Sequence, residues 1–452
     1  MKQDTPMKRT GILFFPAFDW SLGDTHPERE ERLLYTQEQL FEEGVLDLPQ
    51  IKQYSPRVGS LHDTLRAQAL FPNPEAYSAS LDAHLIAAGS AILLGEARMR
   101  GDIANGFVLA RPPGHHSGAT VWGNRGFCTL NYEAILVNHL RARFGVKKIA
   151  IVDTDVHHGD GTQDIFYHDP NVLFISLHQD GRTIYPGTGF VNEKGGPNAW
   201  DQTVNIPLPP GTGDEGYHYV LENWVLPRLQ AFAPDLIINS AGQDNHFTDP
   251  LGSMNLTANG YGRITELLKP DLAVLEGGYS IEGALPYVNL AILLALAGED
   301  YHHVREPQKI DRSVLSLATL KPYVKELKKQ QEATKPSVTT QSKAFFPKGT
   351  WIYNPHSVYY DTEGFQETRH DYIRQCNHCG GTVYIESASA SSRQNSILVR
   401  IPFEACSDCV QAGYDLWDHL QHHRQDTTNG LLQNQLLDKV TVWDRKEGLR
   451  EF

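Results

Sequence analysis

A chain of 452 residues exceeds one average domain, and its 40 % hydrophobic and 21 % charged content is that of an ordinary globular fold. No apolar run approaches the ~20 residues needed to cross a bilayer, and a formal charge of −14 disfavours general nucleic-acid binding, which needs a basic face. Residues 1–11 are polar, with Lys2, Lys8 and Arg9, and the apolar stretch behind them breaks at Pro16 and Asp19. No secretory core is read there, so a reducing, cytoplasmic setting without a membrane is expected.

From 11 to about 306, short apolar runs alternate with longer amphipathic stretches, the pattern of an α/β fold with a mostly parallel sheet and crossover helices. Buried strands are predicted at 107–110, 149–152, 172–177, 236–239 and 272–275, with crossover helices at 133–143 and 215–232. Each strand ends in polar or glycine-rich residues, and ligands of open parallel sheets bind beyond those carboxyl ends. A helix with a Lys-rich end is predicted at 313–331, followed by a polar linker at 332–343 containing Pro336. From about 345 the chain is rich in aromatics (Trp351, Tyr353, Tyr359, Tyr360, Phe365). Three segments are therefore expected: 1–312, 313–344 and 345–452.

Four of the predicted strand ends carry chemistry. After 149–152 come Asp153, Asp155 and His157, whose side chains share one face of an extended segment. A solvated loop with a capping aspartate shows the same pattern. After 107–110 come two prolines, Gly114 and the pair His115–His116, which a stiff turn can hold for proton transfer, although paired histidines in loops are often incidental. Asp244 follows 236–239 and either completes a metal site or caps a helix. Gly277, Gly278 and Tyr279 follow 272–275. The coincidence of all four, in order, is what makes a single site the better reading.

These residues lie in RPPGHHSG, GFCTLNY, DTDVHHGDGTQDIFY, NVLFISLH, YPGTGF, SAGQDNHFTDPLG and LEGGY. Together with THPEREERL at 25–33, they resemble the class II branch of the histone deacetylases and their bacterial relatives, including acetylpolyamine amidohydrolases. The resemblance runs from 11 to about 298 and implies an arginase/deacetylase-type three-layer fold. It implies Asp155, His157 and Asp244 as ligands of a catalytic Zn2+ with one open position, with Asp153 orienting His115 and Asp160 orienting His116. A zinc ion that polarises an acetyl carbonyl and acidifies water, a histidine base (His116 first) and Tyr279 as oxyanion donor complete the implied hydrolysis of N-acetyl amides. Some relatives carry histidine at the Tyr279 position and are poor ordinary deacetylases, so tyrosine favours a competent enzyme.

The same resemblance implies Gly126, Phe127 and Tyr185 as walls of an acyl-lysine channel. It also implies K+ held by backbone oxygens of Asp153, Asp155 and His157 with Ser176 and Leu177. Two departures stand out: Asn131–Tyr132 replaces a more usual Asn-Asn, and Asn245–His246 replaces small residues beside Asp244, which puts the pocket rim in question. Acetyl-lysine in proteins is the expected substrate. A polyamine or other small-amide deacetylase, with an acidic group guarding its channel, and a non-catalytic module that binds acetylated ligands are the alternatives.

Cys376, Cys379, Cys406 and Cys409 form two C-x-x-C pairs, the ligand pattern of a small zinc-ribbon-like domain closed around a structural Zn2+. A helix is predicted at 404–424. This domain is a candidate for protein docking or homo-oligomer formation, with nucleic acid less favoured.

Overall fold

Eight segments, apolar in the inner strands and more polar at the edge strand β2, form one sheet: β1 (Thr10–Phe15), β2 (Ile51–Tyr54), β3 (Asn105–Ala110), β4 (Ile149–Asp153), β5 (Val172–Gln179), β6 (Thr203–Leu208), β7 (Leu236–Ser240) and β8 (Leu272–Val274). The computed structural model describes residues 9–71, 78–337, 339–341, 343–389, 394–423 and 427–452. Lys2, Lys8, linker positions 338 and 342, and Arg424 at the end of the expected helix lie outside them. The sheet runs β2-β1-β3-β8-β7-β4-β5-β6 and every pairing is parallel.

Alternate strand residues supply two cores. Ile12, Phe107, Leu109, Val152 and Ile175 face one, under helices Ala258–Leu268, Leu285–Ala297 and Leu317–Ala333. Leu13, Val108, Ala110, Ile151 and Phe174 face the other, under Ser78–Met99 and Tyr132–Phe144. Helix, sheet and helix make three layers. Burial on both faces explains why the inner strands read as continuous apolar runs.

All five predicted strands form. The helix expected at 215–232 is interrupted by a π-helical turn at Leu221–Val225. Pro227 just beyond it has no N–H to donate to the preceding turn, a common cause of such irregularity. The helix expected from 313 begins at Leu317, because the Ser316 side chain accepts from Thr319 N and caps it. Among the described residues no helix is long and apolar enough to cross a membrane.

The C-terminal region is more than a ribbon. It is an eight-stranded sheet of β9 (Thr339–Thr340), β10 (Trp351–Tyr360), β11 (Phe365–Arg374), β12 (Val383–Ser389), β13 (Gln394–Ile401), β14 (Asn429–Asn434), β15 (Lys439–Asp444) and β16 (Gly448–Glu451), paired in chain order. Only β13 and β14 pair in parallel, joined by the crossover helix Ser407–His423. One face, with Ile373, Ile385 and Leu398, packs into the second core of the α/β unit; the other, with Tyr384, Val399 and Ile401, is covered by Leu416, Trp417 and Leu420 of that helix. Arg400 fastens the two units, donating to the carbonyls of Ile165 (3.1 Å) and Ala67 (3.0 Å).

Candidate active site

The four motif-bearing strands β3, β8, β7 and β4 are consecutive neighbours, so their carboxyl ends meet over the middle of the sheet. Beyond β4 and β7, ligand-competent atoms of Asp155, His157 and Asp244 gather within 4.8 Å of one another, all buried. His157 Nδ1 stands 3.1 Å from Asp155 Oδ1 and 3.1 Å from Asp244 Oδ2. One ring N–H cannot serve both oxygens well. A cation bonded to all three at ~2.0–2.2 Å spaces its ligands at about this separation, so the trio fits a zinc ion.

The electrostatics agree with that fit. Burial and the neighbouring Asp155 push Asp244 up to about 6. For Asp155, burial is outweighed by His115 and His157, and its carboxyl is held well below the usual range. Burial also opposes charge on His157, yet its bonds to Asp155 and Asp244 raise its pKa to about 10. The pocket thus holds a proton tightly where a metal cation would sit. Two glycines make room for the carboxylates: a Cβ on Gly277 would lie 2.2 Å from Asp244 Oδ2, and one on Gly242 would lie 2.0 Å from Asp155 Oδ2.

The tandem histidines stand beside the trio in different states. His115 Nδ1 lies 3.1 Å from Asp153 Oδ2, and its Nε2 lies 3.9 Å from Asp155 Oδ1. Burial disfavours its charge, but the two aspartates prevail and raise its pKa well above the ordinary value. His116 Nδ1 lies 2.8 Å from Asp160 Oδ1; burial and the charge on His115 bring it down to about 3 against the pull of Asp160. Beyond β8, Tyr279 is buried, its N–H donating to Asp249 Oδ2 at 2.7 Å and its ring lying edge-on to Phe127 at 5.5 Å. Burial pushes its hydroxyl pKa well above the ordinary value, against the opposing charge of Arg32.

The histone deacetylase domain model matches residues 48–296, more than half of the chain. A probable deacetylase from Archaeoglobus fulgidus is 45 % identical over 325 residues, covering 66 % of this chain and 89 % of that protein. The chain belongs to the histone deacetylase family. An acetylpolyamine amidohydrolase from Burkholderia pseudomallei is 38 % identical over 195 residues, covering 42 % of this chain and 56 % of that protein. The crystal structure of the HDA15 HD domain superposes with a TM-score of 0.63 at 31 % identity, covering 73 % of this chain and 96 % of that one. Membership makes the chain a metal-dependent hydrolase acting on acetyl amides.

In this deacetylase Gly126 and Tyr185 lie beside His116, whereas Phe127 lies against Tyr279. Tyr185 meets the His116 ring edge-on at 5.1 Å, and a Cβ on Gly126 would lie 2.5 Å from His116 Cδ2. Gly126 (φ 53°) and Phe127 (φ 70°) both adopt left-handed backbone, which only the first residue does freely. The strand register sets Asp153 against Ser176, bringing together the strand ends expected to hold a monovalent cation; the Leu177 carbonyl also accepts from Tyr217 OH at 3.1 Å.

Asn245 and His246, the residues that depart from the family pattern beside Asp244, are held by neighbours within the fold. Both are buried: Asn245 donates to the Thr154 carbonyl at 2.8 Å, and His246 stacks on Phe247 at 4.4 Å. Asn131 caps the helix Tyr132–Phe144, accepting from Ala134 N at 2.9 Å, and Tyr132 OH donates to the Leu275 carbonyl.

Sequence reasoning missed the residues that hold the machinery in place. Glu28 takes Arg32 at 2.7 Å and Arg111 at 2.6 Å, all three fully buried. Arg32 then reaches the Gly278 carbonyl at 2.8 Å, with its guanidinium 4.8 Å from the centre of the Tyr279 ring. Glu276 accepts from the N–H groups of Gly114 (2.7 Å) and His115 (3.0 Å). Each of these lies inside a quoted motif, but no local spacing reveals a role that depends on distant strands.

The four cysteine sulfurs also cluster. Cys376 lies 3.7 Å from Cys406 and from Cys379, and Cys379 lies 3.9 Å from Cys406. That is about the edge of a tetrahedron with ~2.3 Å Zn–S bonds and far beyond the ~2.05 Å of a disulfide. Asn198 of the α/β unit binds this turn, accepting from Cys376 N at 3.0 Å and donating to the carbonyls of Gly380 (2.8 Å) and Arg374 (3.0 Å).

Proposed function

We propose that this protein is a zinc-dependent deacetylase of acetyl-lysine side chains in proteins, working with K+ and carrying a second, structural Zn2+. The observation that carries the reading is the buried Asp155–His157–Asp244 trio, with the ring of a neutral His116 5.8 Å from that of His157 and the buried Tyr279 following the neighbouring strand β8. A zinc ion on the trio supplies Lewis acidity toward an acyl oxygen and a water molecule. His116, with Nδ1 committed to Asp160, takes the water proton at Nε2. His115, oriented by Asp153, holds positive charge beside the developing oxyanion, and Tyr279 OH donates to that oxyanion. The proton then passes from a histidine to the departing amine.

Gly126, Phe127 and Tyr185 form the walls that contact the aliphatic stem of the substrate. Backbone oxygens of Asp153, Asp155 and His157 with Ser176 and Leu177 hold K+, and Cys376, Cys379, Cys406 and Cys409 hold the structural zinc. The working segments are 1–312 for catalysis, 313–344 as helix and linker, and 345–452 as the metal-stabilised unit and a docking surface. A cytoplasmic setting suits the reduced cysteines.

An acetylpolyamine deacetylase is the second reading, favoured by the Burkholderia relative's name. Turnover of an acetyl-lysine peptide against acetylspermidine by the zinc-loaded protein separates the two. A chelator-sensitive activity that Tyr279→Phe leaves untouched contradicts the mechanism, and no turnover in either form favours a binding module.

A further inference from the structure

The turn between β10 and β11 belongs to the C-terminal sheet, yet it ends at the mouth of the channel. The carboxylate of Asp361 accepts from Gly126 N–H at 2.9 Å and from Tyr185 O–H at 3.1 Å through the same oxygen, Oδ1. Its neighbours grip the adjoining loop: Glu363 accepts from Asn124 N at 3.0 Å, Thr362 donates to Asn124 Oδ1 at 2.8 Å, and the Tyr359 carbonyl accepts from Arg125 Nε at 3.0 Å. Arg125 in turn bonds to Asp160, the partner of His116. Phe127, next to Gly126, meets the His26 ring edge-on at 4.3 Å.

Gly126 and Tyr185 come from loops nearly sixty positions apart in the chain and approach each other over His116. Among the described residues Asp361 is a shared acceptor for both, and it is supplied by a different unit. We propose that the β10–β11 turn is a working part of the substrate entrance, with Asp361 the positioning residue that fixes the spacing of the Gly126 and Tyr185 walls. This rests on the channel role proposed above for those two residues. The C-terminal sheet then sets how wide a substrate stem the catalytic unit accepts.

The test compares full-length, zinc-loaded wild type, Asp361→Ala, Asp361→Asn and the exposed strand control Gln366→Ala. Two peptides are used: one with acetyl-lysine, the other with acetylated 4-aminomethylphenylalanine, whose ring makes a wider stem. Asp361 is exposed, so its replacement leaves the core intact. In Asp361→Ala, amide hydrogen exchange across 124–127 speeds up, and KM for the acetyl-lysine peptide rises about tenfold with a smaller change in kcat, as loss of charge-assisted bonds predicts. The ratio of wide-stem to narrow-stem turnover rises, and Asp361→Asn, which keeps an acceptor oxygen, restores most of both values. Faster exchange with KM and the ratio at the control's values overturns the proposal, as does an equal loss on both peptides. Absence of Tyr279-dependent turnover in the wild type instead sinks the deacetylase reading itself, and is told apart by the Tyr279→Phe control.

Discussion

Asp160 divides its carboxylate between two partners: Oδ1 lies 2.8 Å from His116 Nδ1, and Oδ2 takes the Arg125 guanidinium. The arginine competes with the ring for the negative charge. Burial and the charge on His115 outweigh the pull of Asp160, and the His116 pKa falls from 6.5 to about 3. A folded pKa below the unfolded one means that the neutral ring stabilises the fold above pH ~6.5, a contribution lost as pH falls from there toward ~3. As a base, His116 is fully available over the whole neutral range, and a metal cation nearby depresses it further. The expected kcat/KM shows no acid limb from this group between about pH 8 and about pH 6. A limb near pH 6.5 that disappears in His116→Ala contradicts it.

Asp160→Asn keeps the shape but removes the anion that orients the ring and favours its charged form. We expect kcat to fall roughly 10- to 100-fold, the range for loss of a histidine's orienting carboxylate, with metal content unchanged. Loss of metal together with activity assigns Asp160 to the metal site instead.

Gly277→Ala places a Cβ 2.2 Å from Asp244 Oδ2 and 2.5 Å from Asp155 Oδ2, and displaces the N–H that Gly277 donates to Asp155 Oδ2 at 2.7 Å. Both carboxylates must move, so the trio loses its spacing. The variant is expected to fold but to retain less than about a tenth of the catalytic zinc at equilibrium, since ~1.4 kcal/mol already costs tenfold in affinity. Elemental analysis after dialysis against a weak chelator reads this directly.

Much of this site was legible because the chemistry sits on strand ends. The residue types and their spacing after an apolar run marked the site, but the extended geometry read for Asp153, Asp155 and His157 stops at Asp153: the strand ends there, and Asp155 and His157 lie in the bend that follows. The neighbour relation of β3, β8, β7 and β4 is not written in any local window, because parallel pairing joins segments separated by whole helices. The C-terminal sheet was hidden for another reason. β10 exposes Tyr359 and buries Trp351 and Tyr360, and β11 buries Glu367, Arg369 and Asp371 beside the α/β unit, so its polar residues read as solvated surface. Arg369 bonds to Asp164 at 2.6 Å and to Asp371 at 2.8 Å, an ion cluster that only the packed units create.

Glu28 offers a separate check on the buried frame. Its replacement by Gln removes the carboxylate charge that pairs with both Arg32 and Arg111. Breaking a buried pair in this way costs ~3–5 kcal/mol, and the second arginine adds to it. Urea unfolding is expected to show that loss, with kcat reduced as well because Arg32 also sets Gly278 and Tyr279. A stability change under about 1 kcal/mol rejects the frame as a structural element.

The cysteine cluster should be separable from catalysis in metal content but not in stability. Cys376→Ser weakens a thiolate shell whose Cys376 N–H is held by Asn198 of the α/β unit, so loss of this ion loosens the contact between the units. One zinc per chain is expected to disappear while the ion on Asp155, His157 and Asp244 stays. Thermal unfolding then separates into two steps, the C-terminal sheet first. Asn198→Ala, which spares all four sulfurs, keeps both ions yet lowers the first step. If Cys376→Ser instead empties the catalytic trio and leaves unfolding in a single unchanged step, the two metal sites are coupled and the C-terminal unit is not the one its cysteines hold together.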